Sequence, residues 1–159
     1  MMDTPSRMEK SADMSDRNWE LEYPVWIYRW IFFRRLFLPE VQHCQLADAA
    51  QFRRMKALGM CVNLFPNHHF YWGDQHYAIT VGPERAERMN ACATALRTGV
   101  PMAIHSDAPV TPLGPLFTAW CAVNRLTATG RTLGEHERVG VEDALRTITL
   151  GAAYTLKLD

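Results

Sequence analysis

The sequence has no excess of charge of either sign: 17 Lys and Arg stand against 17 Asp and Glu in 159 residues, a formal net charge of zero. No global field exists to recruit nucleic acid or an anionic membrane, so no nucleic-acid partner is expected. Long apolar runs are missing too. Met1–Asp16 is polar, mixed in charge and without an apolar core, which argues against a secretory signal. The most apolar stretch, 24–38, is shorter than a spanning helix and is interrupted by Arg29, Arg34 and Arg35, so no transmembrane span is expected. Cysteine is sparse: Cys44, Cys61, Cys92 and Cys121 show no CxxC spacing. That usage suits buried thiols in a reducing compartment, and the expected location is the cytoplasm. There is no HxH, no HExxH, no Gly-rich phosphate loop, no repeat of solenoid length and no low-complexity tract.

What is present is a globular composition, 48% hydrophobic and 21% charged, at a length that supports one modest core. Residues 1–18 lack periodicity and read as a disordered tail. Residues 19–39 concentrate Trp19, Trp26, Trp30, Phe32, Phe33 and Phe37, but their arginines fall on more than one face of any helix drawn through them. A helix packed on the domain is the expectation there, and an interfacial membrane helix the alternative.

From residue 40 the texture changes. Val41-Gln42-His43-Cys44 reads as a strand ending near His43, and Asp48 with Gln51 forms a capping-box signature for a helix that Gly59 stops. Residues 60–65 supply a second strand, after which Pro66 opens an expected long loop through Asn67, His68, His69, Tyr71, Trp72, Gly73, Asp74 and His76. Pro83 starts a third helical segment, expected to run to Gly99 with Met89, Cys92, Ala93 and Leu96 on one side. Residues 100–104 form the third strand and lead into His105-Ser106-Asp107-Ala108-Pro109. A helix through about Leu126, a polar connector and a last helix over 141–153 follow, the last with an apolar side of Val141, Ala144, Leu145, Ile148 and Ala152. Alternating strand and helix predicts parallel strands with right-handed crossovers.

That order brings His43, the stretch from Asn67 to Asp74, and His105 with Asp107 to one rim, the carboxyl ends of three strands, where parallel α/β folds place their chemistry. Imidazole beside carboxylate suits a zinc-type site, in which a metal acidifies water and the carboxylate takes its proton. The same residues have plainer uses. Asp107 also fits an Asx-turn cap, and a histidine in a polar loop is commonly just solvated.

Several motifs together resemble the metal-dependent amidohydrolase superfamily, in the branch called amidohydrolase family 3. They are His43-Cys44-Gln45, Phe65-Pro66-Asn67-His68, Tyr71-Trp72-Gly73-Asp74, Gly82-Pro83-Glu84-Arg85, His105-Ser106-Asp107-Ala108-Pro109-Val110, Glu142-Asp143-Ala144-Leu145 and Gly151-Ala152-Ala153-Tyr154, spread over 41–159. The resemblance implies an α/β fold: a partial TIM-type (β/α) barrel made of the last three strand-helix units, preceded by an unrelated segment. It implies that His43 is a metal ligand and that Asp107 is a metal ligand or the catalytic base. It places Asn67, His68, Trp72, Asp74 and His105 near a small amide-type substrate, and it implies a divalent metal, zinc by preference. The family's HxH pair, its strand-four lysine and its strand-five histidine have no counterpart here. The usual Ile-Glu before the strand-six histidine reads Val41-Gln42. A fragment with an incomplete metal site is therefore expected, with open sheet edges that invite self-association. The alternative is a non-catalytic module that keeps the scaffold.

Overall fold

The computed structural model describes residues 38–158; the expectations for 1–37 lie outside the described residues. Three parallel strands, β1 (Glu40–His43), β2 (Cys61–Leu64) and β3 (Met102–Ile104), pair in the order β1-β2-β3. Glu40 sits opposite Cys61 and His43 opposite Leu64, while Val62 sits opposite Met102 and Leu64 opposite Ile104. The matched rows Val62/Leu64 and Met102/Ile104 therefore share one face. They form the core with Phe52, Cys92, Ala95, Ala119 and Ala144 from the helices.

Helix α1 (Ala49–Ala57) begins where the sequence says it should: the Asp48 carboxylate accepts from Gln51 N at 2.8 Å, and Gln51 Oε1 accepts from Asp48 N at 2.9 Å. These two bonds satisfy donors that a helix start otherwise leaves unpaired. Phe52 is the side chain this helix buries completely.

The expected loop after Pro66 is instead helix α2 (Asn67–Gln75), which continues into a π-helical turn, His76–Thr80. Pro66 stands at the N-cap, where the missing N–H costs nothing. The residues α2 buries are Asn67, His69 and Gly73. Two of these are polar and the third has no side chain, so no apolar period announces the helix. Gly73 is required by close approach, since a Cβ there would lie 2.7 Å from Thr127 Cγ2 and 2.8 Å from Leu133 Cδ1.

The single helix expected from Pro83 to Gly99 is two, α3 (Pro83–Arg88) and α4 (Cys92–Thr98). The break is at Asn90, whose φ is 47°. The fully buried Arg125 guanidinium donates to the carbonyls of Asn90 (3.0 Å), Met89 (2.9 Å) and Glu87 (3.2 Å), so the end of α3 is satisfied from a distant part of the chain. Helix α5 (Pro115–Asn124), a short 3-10 turn (Glu135–Glu137), α6 (Val141–Arg146), a π-helical turn (Thr147–Gly151) and α7 (Ala152–Thr155) complete the chain. The expected apolar side of the last helix is only partly buried. Ala144 is covered, but Val141 is 63% exposed and Leu145 42%.

Candidate functional site

His43 is the last residue of β1 and pairs with Leu64, whose side chain belongs to the core. Strand alternation alone would send the His43 ring the same way. The backbone prevents this: His43 (φ 64°) and Cys44 (φ 45°) are both left-handed, a conformation that costs a non-glycine residue free energy and is concentrated at functional sites. The ring lies instead against Phe65, edge-on at 5.5 Å between centroids, and against His105 at 4.9 Å. Asp107, also left-handed at φ 52°, follows β3 and brings its Oδ2 to 3.7 Å from His43 Nε2. Both side chains are partly open to solvent.

Phe65, fully buried, is the hub on which the rim is built. His105 stacks on it at 5.2 Å and His68 leans on it at 4.2 Å, with Trp72 at 6.3 Å. His68 in turn meets the rings of His43 (6.0 Å), Trp72 (5.5 Å) and His76 (5.7 Å). Burial, reinforced by the neighbouring His76 and His43, pushes the His68 imidazole down to about 4, and burial with His43 also lowers His105. These rings are neutral near pH 7 and can donate or accept. His68 Nδ1 and His105 Nε2 are buried without a hydrogen-bond partner.

Sequence reasoning did not single out Gln45 and His76. Gln45 Nε2 lies 3.3 Å from His76 Nε2, and His76 Nδ1 lies 2.6 Å from Thr80 Oγ1. Gln45 lies in the His43-Cys44-Gln45 motif without a role of its own there, and no motif includes His76, which the π-helical turn carries beside His68.

Not every expected site residue joins this cluster. Asn67 is buried and donates to Thr111 Oγ1 at 2.8 Å, and Thr111 donates to Ser106 O, so Asn67 ties α2 to the Asp107 loop. Asp74 accepts from Thr129 Oγ1 at 2.9 Å and pairs with Arg131 at 3.4 Å. His69 is enclosed between Pro66 O and Met89 O.

The donor set can be tested against a metal. His43 Nε2 and Asp107 Oδ2 are the right atoms and are close together. Catalytic zinc takes three protein ligands and a water. Among the described residues no group of three or more His, Cys, Asp and Glu is arranged to hold a metal ion. These residues alone therefore do not fit a complete metal site. No helix among them is long and apolar enough to cross a membrane.

An N-substituted formamide deformylase of Arthrobacter pascens is 28% identical over 114 residues, 72% of this chain and 21% of that protein. A crystal structure of an uncharacterized metal-dependent hydrolase from Pyrococcus horikoshii OT3 superposes with a TM-score of 0.63 at 23% identity, covering 82% of this chain and 27% of that one. One from Pyrococcus furiosus gives 0.59 at 25% identity, covering 82% and 26%. The chain thus spans between a fifth and about a quarter of the length of these relatives. A family model described as Amidohydro_3, amidohydrolase family, matches residues 29–159, so the likeness starts earlier than the motifs from residue 41 indicate and takes in part of the aromatic segment. With most of its length matched, the chain belongs to the amidohydrolase family.

Proposed function

We propose that this chain supplies the last three strand-helix units of a TIM-type barrel hydrolase acting on carbon-nitrogen bonds other than peptide bonds. The observation that carries the reading is the approach of His43 Nε2 to Asp107 Oδ2, 3.7 Å apart across the carboxyl ends of β1 and β3, in a chain of the amidohydrolase family. In this reading His43 and Asp107 contribute two donors to a divalent-metal site, zinc by preference, and the remaining ligands come from outside residues 38–158. Asp107, partly solvated, also serves as the proton acceptor. His68, Trp72 and His105 face a small amide-type substrate. The four cysteines, buried and unpaired, suit a reducing compartment such as the cytoplasm.

A second reading keeps the scaffold without catalysis, and the lack of a third metal donor among the described residues favours it for the chain alone. The two are separated by zinc titration against a competing chelator, run beside turnover of a simple formamide. With two donors, weak zinc binding and negligible turnover are expected for the chain alone. Zinc affinity and turnover should both rise when the missing barrel segments are supplied in trans, and both should fall with Asp107→Ala. Roughly nanomolar affinity of the isolated chain, lost in Asp107→Ala, would overturn the two-donor assignment. Failure of supplied segments to raise turnover would favour the non-catalytic reading.

A further inference from the structure

The backbone that turns His43 toward Asp107 is itself held in place by residues outside that pair. His43 and Cys44 are both left-handed, at φ 64° and 45°, and such a conformation persists only where the surrounding structure over-determines it. Close to the turn, Cys44 N donates to Gln42 O at 2.8 Å and Ala47 N to Cys44 O at 3.0 Å. Gln45 carries the long-range anchors. Its carbonyl accepts from Asn90 N at 2.7 Å, and its side-chain Nε2 lies 3.7 Å from Met89 Sδ and 3.3 Å from His76 Nε2. An amide nitrogen donates and does not accept, so both side-chain contacts run outward from Gln45, and His76 Nε2 is the acceptor. The proton of a neutral His76 is then on Nδ1, which donates to Thr80 Oγ1 at 2.6 Å within the π-helical turn. Burial lowers the His76 pKa, which keeps the ring neutral near pH 7. The same ring stands perpendicular to His68 at 5.7 Å, and the His68 ring lies 6.0 Å from His43. His76 therefore supports His43 from two sides, through Gln45 along the chain and through His68 across the rim.

We propose that His76 is a positioning residue: by accepting from Gln45 Nε2 it fixes the left-handed turn at His43, and with it the imidazole that meets Asp107. This role rests on the reading of His43 and Asp107 as the reacting pair. His76 bonds to Gln45 and Thr80, so it acts through the turn and not on the substrate. The π-helical turn supplies the geometry, since Thr80 sets both the orientation and the tautomer of the ring, and π-helical turns are frequent at functional sites.

The test reads His43 itself by NMR on the full-length chain near pH 7, without metal or turnover, so its outcome is separate from that of the hydrolase reading. Imidazole nitrogen shifts of the wild type should show His76 as the Nδ1–H tautomer; an Nε2–H or doubly protonated ring would overturn the proposal. The His43 ring protons should be displaced from their positions in an unfolded chain by the Phe65 and His105 rings beside them. His76→Asn keeps a group that reaches Thr80 but loses the one that reaches Gln45, and should abolish most of this displacement. His76→Gln places its side-chain oxygen near the position of Nε2 and should restore it. Unchanged His43 signals in His76→Asn would overturn the proposal. Equal loss in both variants would also overturn it, by reducing His76 to a packing residue. Should His76→Asn fail to fold, Gln45→Met takes its place, since it fills similar space without a donor, and unchanged His43 signals there would overturn the proposal too.

Discussion

The His69 ring lies between two carbonyl oxygens, Pro66 O at 2.8 Å from Nδ1 and Met89 O at 3.1 Å from Nε2. A neutral imidazole has a single N–H, so it can donate to one of them. Full burial, with the Arg125 guanidinium nearby, holds its pKa well below the ordinary value. The sign follows by linkage. Below pH ~6.5 the unfolded chain takes up a proton at this position and the folded chain resists it, so the histidine's contribution is present above ~6.5 and is lost as pH falls. Thermal melts should show wild-type stability dropping between pH 6.5 and 5, and His69→Leu should start lower at pH 7 but lose less over that interval. Asn67 is a second test at this scale. Its hydrogen bond to Thr111 is buried, and Asn67→Ala should cost about 1–3 kcal/mol in denaturant unfolding by removing that bond and leaving Thr111 Oγ1 only the one it donates to Ser106 O. Neither histidine nor asparagine shows in the sequence which is structural and which faces the rim. His68 and His69 are neighbours in the chain, yet one joins the ring cluster and the other is sealed under α2.

Among the elements, legibility followed the locality of the forces. Helix α1 could be read because its start is fixed by Asp48 and Gln51, three residues apart, and Asp48→Ala should cost about 1 kcal/mol of stability. Helix α2 could not, since it buries polar groups whose desolvation is offset by hydrogen bonds to residues 20 and 44 positions away. The break between α3 and α4 has the same origin in Arg125. The π-helical turn Thr147–Gly151 is set by packing: a Cβ on Gly151 would collide with the Met102 carbonyl of β3. Gly151→Ala should therefore cost on the order of 2 kcal/mol or more of stability, read as a lowered thermal midpoint. At the exposed Gly130 a Cβ would meet nothing within 4 Å, so no such collision arises there.

For the whole molecule, the strand order and the parallel pairing agree with the alternation in the sequence, and the fold resembles solved metal-dependent hydrolases. Truncation offers a test at this scale. Removing Met1–Asp16, which carries no apolar period, should leave the thermal transition unchanged. A large loss of stability on that deletion would show that the stretch is structural.

By itself the sequence determined the strand-helix alternation, the start of α1, the family likeness and the identity of His43 and Asp107 as the residues to watch. These depend on neighbours within a few positions or on motifs, both of which a linear chain displays. Only the tertiary structure decided that the left-handed backbone at His43 and Cys44 turns the imidazole toward Asp107, that Asn67 and Asp74 bond away from the ring cluster, and that Val141 and Leu145 face outward. Those outcomes turn on contacts between segments tens of residues apart, and burial and hydrogen bonding at such separations have no local signature in the chain.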